Sequence, residues 1–126
     1  MNLVKHDSEC VEFLAGDHTY LQELIHPKND GLPINYSLAR ATLMPGESSL
    51  LHELESSELL YILKGKGTAC IGDQKIPMEK GSLVMIPAAT KQYITNNGNE
   101  NLVFLCIVEP FWKKESENIL HKEQGN

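Results

Sequence analysis

The stretch HELESSELLYILKGKG, residues 52–67, places a histidine and several glutamates next to an apolar segment that ends at glycines. Residues i and i+2 of a strand face the same side, so His52 and Leu54 share one face and Glu53 and Glu55 share the other. Charged residues are mostly exposed, and we therefore expect Glu53 and Glu55 to form a solvated face. The chemistry of this stretch is expected on the His52 face.

Glu58 follows after a short turn and begins a second predicted strand, with Leu60 on the same face. If both strands turn these faces inward, His52 and Glu58 meet in an apolar interior beside Leu54 and Leu60. An imidazole and a carboxylate that converge in this way are ligands for a divalent metal. The residues alone leave open whether His52 and Glu58 hold a metal or only form a polar edge of the predicted strands.

The rest of the chain has the pattern of a β protein. Short apolar segments are separated by turn signals at Pro45-Gly46, Gly72-Asp73 and Asn97-Gly98. This spacing predicts an all-β domain, either a sandwich or a barrel. The segment 12–25 fits a short helix or an edge strand equally well, and the helix formers in KKESENIL, residues 113–120, predict a short C-terminal helix.

Composition narrows the range of partners. The chain has 126 residues, of which 41% are hydrophobic, with eleven basic and seventeen acidic residues and a formal charge of −6. Nucleic acids and anionic membranes select clustered Lys and Arg, so neither is an expected partner. The N-terminus lacks the pattern of a secretory signal and no apolar run approaches a membrane span, and a cytoplasmic location is expected.

Two spacings in the chain match a known family. Gly46, His52, Leu54, Glu58 and Gly65 follow the first motif of the cupin superfamily, G(X)5HXH(X)3-4E(X)6G, except that Leu54 replaces the second histidine. The second motif, G(X)5PXG(X)2H(X)3N, is matched by Gly81, Pro87 and Asn96, while Ala89 replaces its glycine and Gln92 its histidine. The chain therefore resembles the small single-domain cupins, often labelled mannose-6-phosphate-isomerase-like.

The resemblance implies a fold and an organisation. It predicts a double-stranded β-helix, or jelly-roll barrel, over about residues 34–110, within a single domain of residues 1–126. An N-terminal arm would occupy about residues 1–30 and a C-terminal tail residues 111–126. Small cupins commonly pair through an N-terminal strand and a sheet face, so a homodimer is also expected.

The resemblance also implies a site. The second motif directs Gln92 into the same cavity as His52 and Glu58, and these three residues are the predicted metal ligands. A set of one imidazole, one carboxylate and one amide admits Zn, Fe, Mn, Ni or Co. Gln92 has the alternative role of a hydrogen-bond partner inside the barrel or of a group that orients a substrate.

Two further residues are pocket candidates. Arg40 lies on the strand before the first motif, where a guanidinium facing the pocket would suit a carboxylate or phosphate, and the alternative is an outward ion pair. His26 precedes a proline turn and would either supply a missing ligand, by folding over the barrel mouth or crossing to a partner subunit, or lie at the surface.

Three functions remain open at this stage. The first is a cupin that binds a small polar ligand over a weakly held divalent metal, which as an enzyme would be an isomerase, dioxygenase, decarboxylase or lyase acting on an oxygenated or sugar-type substrate. The second is a metal-free module that binds a small molecule. The third is a structural dimer without catalysis. Fold analogy does not choose between them.

Overall fold

The computed structural model describes residues 4–120, and strands dominate this part of the chain. Its helical elements are a single-turn 3-10 helix at Asp7–Glu9, a short α-helix at Pro27–Asp30 and a second 3-10 turn at Lys114–Ser116. The strands are β1 (Glu12–Leu14), β2 (Tyr20–Ile25), β3 (Ser37–Leu43), β4 (His52–Leu54), β5 (Ser57–Lys64), β6 (Lys66–Ile71), β7 (Gln74–Glu79), β8 (Leu83–Ile86), β9 (Gln92–Thr95), β10 (Leu102–Glu109) and β11 (Glu117–Ile119).

The strands form two antiparallel sheets that face each other. One sheet has the order β1-β2-β3-β10-β5-β8 and the other has the order β11-β4-β9-β6-β7. From β3 to β6 and from β7 to β11, each strand lies in the sheet opposite to that of the strand before it, which is the crossing pattern of a jelly roll. The predicted all-β jelly-roll barrel is confirmed.

The core lies between the sheets, where alternate residues of each strand point inward. Burial alternates regularly along β5 and β10, as expected for strands with one face on the core. The buried apolar cluster includes Ala41, Leu43, Leu60, Ile62, Ala69, Ile71, Met78, Val84, Ile86, Ile94, Leu102, Phe104 and Cys106.

Both segments outside the central barrel contribute strands to the sheets. The segment 12–25, which fitted a helix or a strand, forms β1 and β2, and β2 pairs with β3 while Leu21 packs against the core. The predicted C-terminal helix is limited to the 3-10 turn, because Glu117–Ile119 instead pairs with β4. The open edge of β4 offers main-chain partners that a free helix on the surface would lack. Residues 121–126, the end of the predicted tail, lie outside the described residues.

The motif residues have structural roles. Asn96 is fully buried, and its amide nitrogen donates to the carbonyl oxygens of Leu43 and Glu100, both at 2.9 Å. Ala89, at the position of a motif glycine, has a φ of +58°, in the left-handed region that glycine occupies most readily. The turns of the motifs are therefore retained even where one glycine is replaced.

Within residues 4–120, no helix combines the length and the apolar character needed to span a bilayer.

Candidate functional site

A cavity of about 120 Å³ opens between the two sheets. Four of the predicted residues line it, namely His52, Leu54, Glu58 and Gln92. All four side chains are buried. The two motifs therefore bring their polar residues to one enclosed point.

The pairing of strands explains how these residues meet. His52 on β4 and Gln92 on β9 are direct partners in the same sheet. Glu58 lies on β5, in the opposite sheet, so it faces His52 across the cavity instead of standing on a neighbouring strand as the sequence suggested. The Gln92 side-chain Nε2 donates a hydrogen bond of 3.0 Å to Glu58 Oε1 and bridges the sheets.

His52 presents one nitrogen to the cavity. Its Nδ1 lies 2.7 Å from the carbonyl oxygen of Leu50, which only accepts, so Nδ1 carries the proton. The lone pair of the neutral imidazole is then on Nε2, the arrangement found in metal-bound histidines whose other nitrogen donates to a carbonyl. Nε2 makes no hydrogen bond within the described chain, and Asp17 Oδ2 lies 3.8 Å away.

Asp17 comes from the turn between β1 and β2. The turn closes through hydrogen bonds between Ala15 and Thr19 and between His18 and Ala15, and the Asp17 carbonyl oxygen accepts from the Leu50 amide at 2.7 Å. Its carboxylate Oδ1 accepts from the amide and the hydroxyl of Thr19, which leaves Oδ2 directed to His52. Nothing in the sequence of this turn indicated a site.

Glu117 enters the cavity from β11. Its direct partner on β4 is Leu54, and Ile119 is opposite His52, so the inward face of β4 continues onto β11. The donor atoms of Asp17, His52 and Glu117 all lie within 4.8 Å of one another. The sequence patterns indicate neither carboxylate, because residues 113–120 favour a helix and the segment 12–25, which contains Asp17, fits more than one structure.

The surroundings of the cavity raise the pKa values of Glu58, Glu117 and Cys106. Burial raises the pKa of Glu58 above its usual range, while His52 and the hydrogen bond from Gln92 act in the opposite direction. Burial and the negative charge of Asp17 likewise raise the pKa of Glu117. Burial and the nearby carboxylate of Glu58 raise the pKa of the Cys106 thiol well above its usual value, so this thiol stays protonated.

The donor set fits a divalent cation. Four acidic side chains line the cavity, those of Asp17, Glu23, Glu58 and Glu117, and among residues 4–120 no lysine or arginine lines it. Carboxylate oxygens and one imidazole nitrogen form a mixed set that Zn²⁺, Mn²⁺, Fe²⁺ and Co²⁺ accept.

Three of the predicted pocket residues lie elsewhere. Leu60 belongs to the close-packed core and does not line the cavity. Arg40 faces outward, because alternation along β3 places it on the face opposite to the buried Ala41. Its Nη2 lies 2.6 Å from Asp7 Oδ2, which is the outward ion pair that the sequence left open as an alternative. His26 is buried, but it caps the short α-helix, and its Nε2 donates to the Trp112 carbonyl oxygen at 2.8 Å, which holds it away from the site.

The cupin domain model matches residues 39–108. The chain belongs to the cupin family. This cupin is 33% identical to the uncharacterized protein MJ1618 of Methanocaldococcus jannaschii over 122 residues, which cover 95% of this chain and 97% of that protein. It is also 34% identical to the oxalate-binding protein of Thermotoga maritima over 71 residues, or 56% of this chain and 59% of that protein.

Solved structures agree on the fold. A predicted oxalate decarboxylase from Thermotoga maritima superposes with a TM-score of 0.75 at 23% identity, covering 86% of this cupin and 99% of the other chain. At this identity the likeness concerns the barrel alone.

Proposed function

We propose that this cupin binds a divalent cation inside its barrel and, through the cation, a small oxygenated ligand such as a short carboxylic acid. The observation that carries the proposal is the charge of the cavity. Its lining offers several carboxylates and the imidazole of His52, but no lysine or arginine within the described residues.

The carboxylates favour a cation for an energetic reason. A buried carboxylate without a counter-charge is costly, and like charges raise the cost further. Among residues 4–120, Asp17, Glu58 and Glu117 share this cavity with one basic side chain, that of His52. A divalent ion would offset their repulsion, whereas a free anionic ligand would add to it. An acid would therefore enter this site only together with a cation.

The volume sets the size of the ligand. The cavity of about 120 Å³ is similar in size to the ~150 Å³ cavity that holds one benzene molecule in another protein. A ligand with a handful of heavy atoms fits this space, whereas a sugar phosphate exceeds it. The name of the Thermotoga relative, an oxalate-binding protein, supports a small dicarboxylate as the first ligand to test.

The inner residues have roles toward such a ligand. A divalent cation supplies Lewis acidity when bound. Gln92 fixes the orientation of Glu58 by its hydrogen bond, and the Glu58 carboxyl, whose pKa burial raises, would exchange a proton with the ligand. Leu54, Ile94 and Phe104 exclude water from the remaining walls.

The test is metal analysis of untagged protein after incubation with Zn²⁺, Mn²⁺, Fe²⁺, Co²⁺ or Ni²⁺ and removal of excess ion. We expect about one bound ion per chain in the wild type and in the control His6→Ala, whose imidazole is exposed. His52→Ala should lose the ion. Calorimetry with oxalate should then show binding only when metal is present.

The contrary result is equally clear. A wild-type protein that retains none of these ions, yet binds a small acid in the presence of a chelator, would replace the proposal by a metal-free binding module.

A further inference from the structure

We infer that the two terminal segments complete the metal site, with Asp17 from the β1–β2 turn and Glu117 from β11 as ligands beside His52, so that metal binding and docking of β11 are coupled. This inference rests on the proposed function and specifies which side chains hold the ion. It replaces Glu58 and Gln92 as the metal ligands and leaves them for the small ligand.

The distances suit a shared ion. Two ligands bound at ~2.1 Å to one metal lie at most about 4.2 Å apart. The His52 Nε2 and Asp17 Oδ2 atoms are already separated by 3.8 Å, and the Glu117 carboxylate lies within 4.8 Å of both. A small rotation of the Glu117 side chain would bring all three into range.

His52 provides independent support. Its side chain is 5% exposed, its Nδ1 is fixed on Leu50, and its Nε2 points at the two carboxylates without a hydrogen-bond partner in the described chain. Nε2 therefore opens to the cavity with its lone pair on the side of the carboxylates. An ion held between the imidazole and the carboxylates would accept this lone pair.

The inner pair, in contrast, is already satisfied by the protein. Glu58 accepts a hydrogen bond from Gln92 Nε2 at 3.0 Å. The amide group of Gln92 turns its nitrogen, which cannot ligate a metal, toward the carboxylate. These contacts orient Glu58 toward a ligand in the cavity and leave the ion to the outer carboxylates.

Coupling follows from the way β11 is held. Glu117 reaches the site only while β11 pairs with β4, and this pairing is flanked by main-chain hydrogen bonds from Glu55 to Ser116 and from Leu120 to Leu51. An ion that requires Glu117 binds only the docked state, and by linkage it stabilises that state. Two carboxylates and one imidazole favour Mn²⁺, Fe²⁺, Co²⁺ or Zn²⁺ over soft ions such as Cu(I).

The experiment compares isosteric variants of the outer and inner carboxylates by calorimetry with Zn²⁺ and with Mn²⁺. Asp17→Asn and Glu117→Gln should each weaken binding by about tenfold or more, as loss of a metal contact does. Glu58→Gln should stay within about threefold of the wild type, as should the control Glu115→Gln in the exposed 3-10 turn. Melting curves in chelator confirm that each variant is folded.

Hydrogen exchange adds a readout of the coupling. Metal should slow exchange of the amides of residues 117–120 in the wild type and in Glu58→Gln, but not in Glu117→Gln. Tight binding by Asp17→Asn and Glu117→Gln, or a loss in Glu58→Gln as large as that in Glu117→Gln, would overturn the assignment while the proposed function stands. Absence of metal binding by the wild type would overturn both.

Discussion

The side-chain amide of Gln92 bridges the two sheets of the barrel by donating a hydrogen bond of 3.0 Å to Glu58 Oε1. Gln92 lies on β9 and Glu58 on β5, so the bond crosses the interior and does not follow a sheet. It holds the buried carboxyl in one orientation at the cavity wall. The stability of the barrel and the geometry of the site therefore depend on the same contact.

Removal of this donor should destabilise the protein. Gln92→Met keeps the volume but leaves Glu58 without its bridging partner, which should lower the free energy of unfolding by ~1–3 kcal/mol. Urea denaturation measures this change, with Gln74→Met on the exposed part of β7 as the control. The double variant Gln92→Met/Glu58→Met should recover part of the loss, because removing both partners leaves no unsatisfied group. A single variant as stable as the wild type would contradict the structural role of the bridge.

The buried carboxyl should also make stability depend on pH. The pKa of Glu58 in the folded state is raised by burial, so between the unfolded value of about 4.3 and the raised value the folded state binds more protons. In chelator, stability should therefore fall as pH rises through this window, and Glu58→Gln should be more stable than the wild type at neutral pH. The difference should shrink toward pH ~4, which thermal melts at several pH values can show. A constant difference across that range would contradict the shift.

Two of the motif glycines, Gly65 and Gly81, should differ in their tolerance to substitution. Both have positive φ, +89° at Gly65 and +92° at Gly81. A Cβ at Gly65 would lie 2.5 Å from the Asn101 carbonyl oxygen, whereas one at Gly81 meets nothing within 4 Å. Gly81→Ala should cost ~1–2 kcal/mol from the left-handed backbone, and Gly65→Ala should cost a further ~1–3 kcal/mol for the overlap. If denaturant titrations show the same loss in the free energy of unfolding for both variants, the backbone at Asn101 moves away from the added Cβ without cost.

Ala89 should be improved by glycine. Ala89 has a φ of +58°, a conformation that costs an L-residue ~1–2 kcal/mol. Glycine avoids this cost, but it lowers the free energy of unfolding by ~0.5–1 kcal/mol because its unfolded chain has more conformational freedom. Ala89→Gly should therefore raise the free energy of unfolding by up to about 1 kcal/mol. The neighbouring Ala88→Gly, without positive φ, should lower it. If both variants lose stability alike, strain at Ala89 is not significant.

We propose that the outer face of the larger sheet pairs two copies of this cupin. Leu83 and Met85 on β8 are 67% and 64% exposed. Their partners on the neighbouring strand β5, Tyr61 and Leu59, extend this apolar face. Exposed apolar patches of this kind are typical of interaction surfaces. Sedimentation should give twice the mass of one chain for the wild type and for the control Lys75→Glu, and a monomer for Leu83→Lys/Met85→Lys. A wild-type monomer at micromolar concentration would rule the dimer out.

Local patterns were sufficient for an all-β domain, and the resemblance to the cupins supplied the barrel and its central residues. Alternation and turn residues predicted the strands, and the spacing of Gly46, His52, Glu58 and Gly65 indicated the fold in which His52, Glu58 and Gln92 line one cavity. The same patterns did not decide the direction of Arg40 or the location of His26, because each depends on partners distant in the chain, Asp7 and Trp112 respectively.

What the sequence by itself determined is the strands of the central barrel and the faces that they bury, because side-chain alternation and turn geometry act over a few residues. The tertiary structure alone decided that Asp17 and Glu117 stand beside His52. Their approach depends on a hairpin turn that hydrogen-bonds to Leu50 and on a terminal strand that pairs with β4. Such long-range pairing depends on which strand edges are left unpaired after the barrel forms.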